Sequence, residues 1–179
     1  MPERVQWRLP AIDPAQAGQL AERLGVPPLV ARILVRRGYA DAARARLFLE
    51  PSLEDLPDPL TLKDMPTAVA RLVEAVRRKE EVLLFGDYDA DGIVSIAILK
   101  TALDRAGARA GFQVPSRLRE GYGLRTEVIE QAAATGIKLL ISADTGIRAG
   151  EAIRRARQLG LDVIVTDHHL PEEDLPPAL

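Results

Sequence analysis

A repeating alternation of short apolar runs and longer helical segments begins near residue 65 and constrains the fold more than any other feature. Short continuous apolar runs are typical of strands buried on both faces of a parallel sheet. Their alternation with helices indicates an α/β fold, a parallel sheet with helices on both faces. The predicted strands are Val82–Phe85, Ala110–Val114, Leu139–Ile141 and Val163–Val165, and the predicted helices are Thr67–Lys79, Ile93–Ala106, Thr126–Ala134 and Gly150–Leu159.

The region before residue 65 has a different pattern, in which short helical segments are separated by prolines. Apolar residues at three- and four-residue spacing predict helices over Ala15–Leu24, Pro28–Arg37 and Asp41–Leu49. The acidic stretch Pro51–Pro59 follows, and its closely spaced prolines disfavour regular structure. We therefore predict a helical amino-terminal region with a proline-rich connector over residues 1–64, and an α/β domain over residues 65–179.

The composition of the 179-residue chain excludes several classes of protein. It contains no cysteine, so disulfides, thiolate metal sites and a cysteine nucleophile are excluded. No apolar run approaches the roughly 20 residues that span a bilayer, and the first 20 residues lack the apolar core of a signal peptide. These features predict a soluble, cytoplasmic protein, which we expect to be a monomer without membrane contacts.

The arginines are unevenly distributed, although the net charge of −2 gives no indication of nucleic-acid binding. Residues 1–48 contain eight arginines, and a second basic run extends from Arg148 to Arg157 along a predicted helix. Such runs are commonly the solvated faces of helices. The alternative is local phosphate contact, which requires patches of charge and not a net positive charge. We expect the amino-terminal arginines to lie mostly on the surface.

Each unusual polar cluster directly follows a predicted strand. Gly86–Gly92, with the sequence GDYDADG, follows the first strand, and Ser142–Gly146 follows the third. Thr166–His169 follows the fourth and contains both histidines of the chain. Because the carboxyl ends of parallel strands meet at the edge where such sheets bind ligands, we expect the three clusters to converge.

Five carboxylates and two imidazoles at one edge would repel one another or change their protonation without a counter-charge. Divalent metal supplies that charge. Carboxylates with imidazoles and no thiolate suit Mn²⁺ or Mg²⁺ better than structural zinc. A carboxylate shared by two ions would hold them roughly 3.5–4 Å apart, which is the geometry of two-metal phosphoryl chemistry.

The acidic clusters are compatible in part with three other kinds of site. Asp87–Gly92 fits the opening of a calcium-binding loop, but Ile98 then stands where a bidentate glutamate is required, which excludes an EF-hand. A haloacid-dehalogenase-type phosphatase also has an aspartate pair after a strand, but Asp91 stands where that family has threonine or valine. In the third interpretation, acids at strand ends only cap the following helices.

Three motifs in order, each after a strand, resemble the DHH phosphoesterase superfamily: Gly86–Gly92, Asp144-Thr145-Gly146 and Asp167-His168-His169. Further stretches resemble the bacterial RecJ single-strand exonucleases within that superfamily, and the similarity extends from about residue 28 to the end. These stretches are Phe48–Leu53, Leu62–Met65 and Arg119–Leu124.

The resemblance implies a role for each polar residue of the motifs. Asp89 and Asp144 would hold one metal ion, and Asp91, Asp144 and His168 would hold a second, so that Asp144 bridges the two. His169 would face the scissile phosphate. Asp87 and Asp167 resemble residues that orient the ligands without binding metal.

The sequence departs from the family pattern in two ways. Thr145 stands where the family usually has asparagine or cysteine, and we expect little consequence because this residue is not a ligand. The family also has a fourth-motif aspartate and further domains downstream of Leu179. We therefore expect the chain to be an amino-terminal fragment that is nearly inactive alone.

The resemblance implies a metal-dependent 5′-to-3′ single-stranded DNA exonuclease in recombination and repair, which hydrolyses phosphodiesters with two ions of Mn²⁺ or Mg²⁺. Single-stranded DNA would be its substrate, with a single-stranded-DNA-binding protein and a RecQ-like helicase as partners. A small-substrate phosphoesterase, such as a pyrophosphatase or an oligoribonuclease, and a non-catalytic scaffold remain alternatives. Arg117, Arg119 and Tyr122 are candidate substrate-binding residues, through phosphate pairing and base stacking; a solvated loop is the alternative.

Overall fold

The computed structural model describes residues 11–116, 121 and 123–179. These residues form two compact units, one that ends at Pro59 and one over Leu60–Leu179. The proline-rich connector ends where the first unit ends. The unit over Leu60–Leu179 contains all three polar motifs.

The first unit contains three short helices, α1 (Pro14–Leu24), α2 (Pro28–Arg36) and α3 (Ala42–Leu49). Asp13 and Asp41 cap α1 and α3, since the side chain of each accepts a backbone N–H of the first turn. The connector is more regular than its prolines indicated. It forms two single 3₁₀ turns, Leu53–Asp55 and Pro59–Thr61, and the first is closed by reciprocal hydrogen bonds between Ser52 and Asp55.

The second unit is an α/β domain with four parallel strands, which confirms the predicted fold class. In chain order its elements are α4 (Met65–Arg78), β1 (Glu81–Gly86), α5 (Ala90–Arg105), β2 (Arg109–Gln113), α6 (Thr126–Ala134), β3 (Leu139–Ala143), α7 (Gly150–Gln158) and β4 (Asp162–Thr166). The strands stand in the order β2-β1-β3-β4. None of the helices in the described part of the chain has the length and apolar content needed to cross a membrane.

Successive residues of the central strands point to opposite faces of the sheet, and both faces are buried. On one face, Leu84 and Ile141 pack against α4 and α5 through residues such as Ile96. On the other, Phe85 and Leu140 pack against α6 and α7. The core is therefore double, with one aliphatic layer on each side of the sheet, as the apolar runs in the sequence predicted.

The direction of the chain through the sheet reverses between β1 and β3. The chain passes from β1 to β2 through α5, then returns past β1 to β3 through α6. Crossovers of a single hand then require α5 and α6 to lie on opposite faces of the sheet, as they do. In open α/β sheets, the crevice at such a reversal is the usual ligand site, at the carboxyl ends of the strands.

Candidate metal centre at the carboxyl edge of the sheet

The turn from β1 into α5 places two carboxylates at the reversal point. Asp87 is buried, and its Oδ1 accepts the backbone N–H of Tyr88 at 2.7 Å. Asp89 is the N-cap of α5, and its Oδ1 accepts the N–H of Gly92 at 3.1 Å. The turn requires glycine at position 92, because a Cβ there would lie 2.6 Å from the backbone nitrogen of Asp87 and closer still to its carbonyl oxygen.

Two backbone hydrogen bonds extend the parallel ladder past the strand ends and fix the neighbouring carboxylates. The N–H of Asp87 donates to the carbonyl of Ala143 at 3.3 Å, and the N–H of Asp144 donates to the carbonyl of Thr166 at 2.9 Å. Asp87 and Asp144 are therefore held by the sheet itself and not by a flexible loop. This rigidity favours a preorganised ligand site.

Asp144 is the most unusual residue of this edge. Its backbone is left-handed, with φ of 60°, a conformation that aspartate tolerates better than most residues. Its side chain is only 3% exposed, and no backbone N–H of the described residues donates to either carboxylate oxygen. This carboxylate makes a polar contact with Nε2 of His168, 2.9 Å from Oδ1. An ionised carboxylate in such a place is costly unless a cation compensates it.

The segment after β4 brings both histidines to the same place. Nε2 of His168 lies 2.9 Å from Oδ1 of Asp144, and the His168 side chain is 71% exposed. Nδ1 of His169 lies 2.8 Å from Oδ1 of Asp167. The buried Asp167 side chain also accepts the backbone N–H groups of Ile147 and His169, at 2.9 and 3.0 Å. Asp167 therefore orients His169 and connects the β4 turn to the β3 turn.

The side chains form two groups that share Asp144. Ligand atoms of Asp87, Asp89 and Asp144 all lie within 4.8 Å of one another, and so do those of Asp144, His168 and His169. Asp91 belongs to neither group. It is exposed in the first turn of α5 and lines, with Asp144 and His168, a cavity of about 630 Å³.

The carboxylates at this edge differ in the direction in which their pKa values are shifted. Burial, reinforced by the adjacent Asp89, raises the pKa of Asp144. The hydrogen bond from Gly92 lowers the pKa of Asp89. Burial acts to raise the pKa of Asp167, but the hydrogen bonds from Ile147 and His169 outweigh it and lower that pKa. The hydrogen bond to Asp167 in turn raises the pKa of His169.

The donor set fits a hard divalent cation. It offers carboxylate oxygens and imidazole nitrogens without any thiolate, and one of its carboxylates is buried and accepts no backbone hydrogen bond from the described residues. Mn²⁺ and Mg²⁺ prefer such oxygen-rich sites. Helix capping explains part of the pattern, since Asp89 caps α5, but it does not explain the buried Asp144, to which no described backbone N–H donates.

The candidate substrate-binding residues fall in two places. Arg117, Arg119 and Tyr122 lie outside the residues that the structure describes. Arg148, assigned from sequence only to a basic run on a helix, precedes α7 and lines a cavity with Asp167 and His169. The sequence feature that could have identified Arg148 as a site residue is its position two residues after the Asp144-Thr145-Gly146 motif, directly at the carboxyl edge.

Comparisons with known proteins agree with the motifs. Residues 81–179 match the model of the DHH family, N-terminal domain. The chain is 39% identical over 173 residues to the single-stranded-DNA-specific exonuclease RecJ of Bacillus subtilis (strain 168), which covers 97% of the chain and 22% of that relative.

Two solved structures also resemble the chain. One is exonuclease RecJ bound to manganese, with a TM-score of 0.63, 39% identity and coverage of 69% of this chain and 31% of that one. The other is RecJ from Thermus thermophilus in complex with Mn²⁺, with a TM-score of 0.68, 33% identity and coverage of 100% and 25%. The chain thus spans between about a fifth and a third of the length of these proteins.

Proposed function

The chain belongs to the DHH family, and from this premise we propose that the protein is a metal-dependent nuclease that removes nucleotides from single-stranded DNA. The observation that supports this most strongly is the buried Asp144 carboxylate, which accepts no backbone hydrogen bond from the described residues and is shared by two groups of ligand atoms. The manganese-bound relatives support the choice of metal, and their exonuclease names support the choice of substrate.

We propose that Asp144 bridges two ions of Mn²⁺ or Mg²⁺. Asp89 would hold one ion with Asp144, and Asp87, which has a carboxylate oxygen within 4.8 Å of theirs, would orient these ligands. His168 would hold the other ion with Asp144, and Asp91 lines the same cavity. When bound, two such ions activate water as a nucleophile and stabilise charge on the attacking and leaving oxygens of a phosphodiester.

The chain's own residues would orient the substrate and the proton donors. Asp167 accepts from Nδ1 of His169 and so fixes the orientation of the ring, whose Nε2 would face the phosphate. The raised pKa of His169 favours the doubly protonated ring, which donates at Nε2 to a phosphate oxygen. The rigid sheet edge keeps the carboxylates in place as negative charge develops, so little reorganisation is needed.

The finer features of the proposal rest on the family resemblance. We propose 5′-to-3′ polarity and a role in recombination and repair in the cytoplasm. A single-stranded-DNA-binding protein and a RecQ-like helicase would be the partners.

The test is a nuclease assay on the full-length gene product. We expect Mn²⁺-dependent release of nucleotides from single-stranded DNA labelled at the 5′ end, with slower release from a 3′ label, little from duplex DNA, and none in chelator. Asp144→Asn should abolish release, whereas Asp104→Asn, at the far end of α5, should not. Preferential hydrolysis of pyrophosphate or dinucleotides would overturn the nuclease proposal in favour of a small-substrate enzyme, and no hydrolysis of any of these substrates would favour a scaffold.

The 179-residue chain can be assayed beside the full-length protein. We expect it to be nearly inactive alone, because its described carboxyl edge is open to solvent at His168 and would hold a strand weakly. Nucleotide release comparable to that of the full-length protein would contradict this expectation.

A further inference from the structure

A cavity beside the metal centre is not used by the mechanism described above. It has a volume of about 430 Å³, which lies within the usual range for small-ligand sites. Leu124, Ile147 and Ala149 give it an apolar wall, while Arg148 and His169 supply polar groups. It therefore combines a surface suited to a base or sugar with a charged group suited to a phosphate.

Arg148 is fixed in an orientation that leaves its charge available. Its Nε donates to the backbone carbonyl of Leu170 at 2.8 Å, which ties the guanidinium to the segment that follows His169. The two terminal amino groups make no hydrogen bond or ion pair with residues in the described ranges. A guanidinium anchored through Nε presents the paired donors of its other edge, and such paired donors match the oxygens of a phosphate.

We propose that this cavity is a nucleotide subsite. In it, Arg148 binds the DNA phosphate adjacent to the phosphate that faces His169. The inference rests on the proposed nuclease function, because it takes the metal centre as the place of cleavage. It distinguishes Arg148 from the other arginines of the basic run. Arg157, for example, lies in the last turn of α7 beside Leu161 and Asp162, at the opposite edge of the sheet.

A purely structural role for Arg148 makes a different prediction. If Arg148 only held Leu170, its replacement would disturb the position of the histidines and lower kcat, without altering how salt affects binding. If it binds phosphate, its replacement removes one ionic contact. For single strands, each such contact contributes about 0.7 to the slope of log affinity against log salt concentration.

The experiment measures kcat and KM of the full-length protein on single-stranded DNA with Mn²⁺ at several KCl concentrations, for the parent, Arg148→Gln, Arg148→Lys and Arg157→Gln. We expect Arg148→Gln to raise KM roughly ten- to a hundredfold, as for loss of a charged hydrogen bond. The salt slope of this variant, which is the slope of log affinity against log salt concentration, should fall by about 0.7. The stabilisation of the variant by Mn²⁺ should be unchanged. Arg148→Lys should keep the parent salt slope, and Arg157→Gln should behave as the parent.

The outcomes separate the two proposals. An active parent whose KM and salt slope are unchanged in Arg148→Gln overturns the subsite and leaves the nuclease function standing. A lower kcat with an unchanged salt slope also overturns it, in favour of the structural role. A parent protein that does not cleave single-stranded DNA overturns the nuclease function and this inference with it.

Discussion

Asp167 and His169 form a carboxylate–imidazole pair in which Oδ1 and Nδ1 lie 2.8 Å apart, and the carboxylate is itself held by the backbone N–H of Ile147. The aspartate is buried, whereas the imidazole is 42% exposed. The buried Asp167 carboxylate thus holds an imidazole that is accessible to a ligand. The protonation of the His169 ring depends on this carboxylate.

We predict that Asp167→Asn lowers the pKa of His169. The hydrogen bond to a charged carboxylate raises that pKa above its ordinary value of 6.5, and asparagine retains an acceptor but removes the charge. NMR titration of the His169 ring in chelator measures the change, with Asp104→Asn as the control. Nuclease activity should also fall by roughly ten- to a hundredfold, as for loss of a charged hydrogen bond to the phosphate. An unchanged His169 titration would show that Asp167 does not control the charge of the ring.

We predict that Mn²⁺ raises the thermal midpoint of the parent chain and that Asp144→Ala removes this increase. A ligand that binds only the folded state stabilises it, by about 2.7 kcal/mol at a hundred times its dissociation constant. Each variant is compared with itself in chelator, so that the backbone strain of alanine at φ of 60° cancels. Asp104→Ala should retain the full increase. An equal increase in Asp144→Ala would contradict the bridging role.

We predict that Asp144→Asn stabilises the metal-free protein at neutral pH. Because burial raises the pKa of Asp144 above the 3.8 of the unfolded chain, this carboxyl destabilises the fold increasingly as the pH rises from 3.8 to its folded-state pKa, and by a constant amount above that. Below pH 3.8 the carboxyl is protonated in both states, so the advantage of asparagine should disappear there. Urea denaturation in chelator across this pH range measures the difference.

Asp91→Asn is the matched comparison for that experiment. Asp91 is exposed in the first turn of α5, where a negative charge interacts favourably with the helix dipole. Its replacement should therefore cost about 0.3–1 kcal/mol at neutral pH. Stabilisation by both substitutions would indicate general repulsion across the edge in place of a specific cost at Asp144.

We predict that Gly92→Ala destabilises the domain and weakens Mn²⁺ binding. The added Cβ would lie 2.6 Å from the nitrogen of Asp87 and closer still to its carbonyl oxygen, and both are backbone atoms that cannot rotate away. Overpacking of this kind costs about 1–3 kcal/mol. Gly111→Ala is the control, because nothing lies within 4 Å of its Cβ position on β2. Equal stability of the two variants in urea would show that the β1–α5 turn can shift freely.

We predict that Arg71→Met destabilises the fold without altering the Mn²⁺-induced shift. Arg71 lies at the opposite edge of the sheet, where its guanidinium pairs with Glu80 at 2.7 Å and with Asp162 at 2.5 Å. Methionine would leave the largely buried Glu80 without this partner, at a cost of about 1–3 kcal/mol. Arg78→Met, on the same helix but 66% exposed, should change stability by less than about 1 kcal/mol. A smaller Mn²⁺ shift in Arg71→Met would mean that the two edges are coupled.

The sequence was most informative where periodicity and chain direction determine the outcome. The apolar runs predicted the strands, and helix α6 begins and ends at the predicted residues, Thr126 and Ala134. The convergence of Asp89, Asp144 and His168 followed from parallel strands alone, since their carboxyl ends share one edge. These features depend on backbone topology, which the apolar pattern specifies.

The sequence was less informative about the burial and position of individual side chains at the site. Asp87 and Asp91 belong to the same motif, yet Asp87 follows β1 directly and is buried, whereas Asp91 lies in the first turn of α5 and is exposed. The left-handed backbone of Asp144 could not be read from its residue type, because aspartate occurs in many conformations. The helix was predicted to begin at Gly150, as α7 does, so Arg148 lies in the turn before it, and periodicity does not specify where a side chain in a turn lies.

The strand order has a consequence for how this domain tolerates change. The turns that carry the ligand groups follow β1, β3 and β4, which are adjacent in the sheet. Strand β2 lies on the outer side of β1, and none of those groups comes from β2 or from the described residues that follow it before β3. Fraying or remodelling of β2 would therefore leave the carboxylates and imidazoles in register. Loss of any pairing among the other three strands would separate them. Local unfolding of β2 is thus compatible with an intact metal centre, whereas local unfolding of β4 is not.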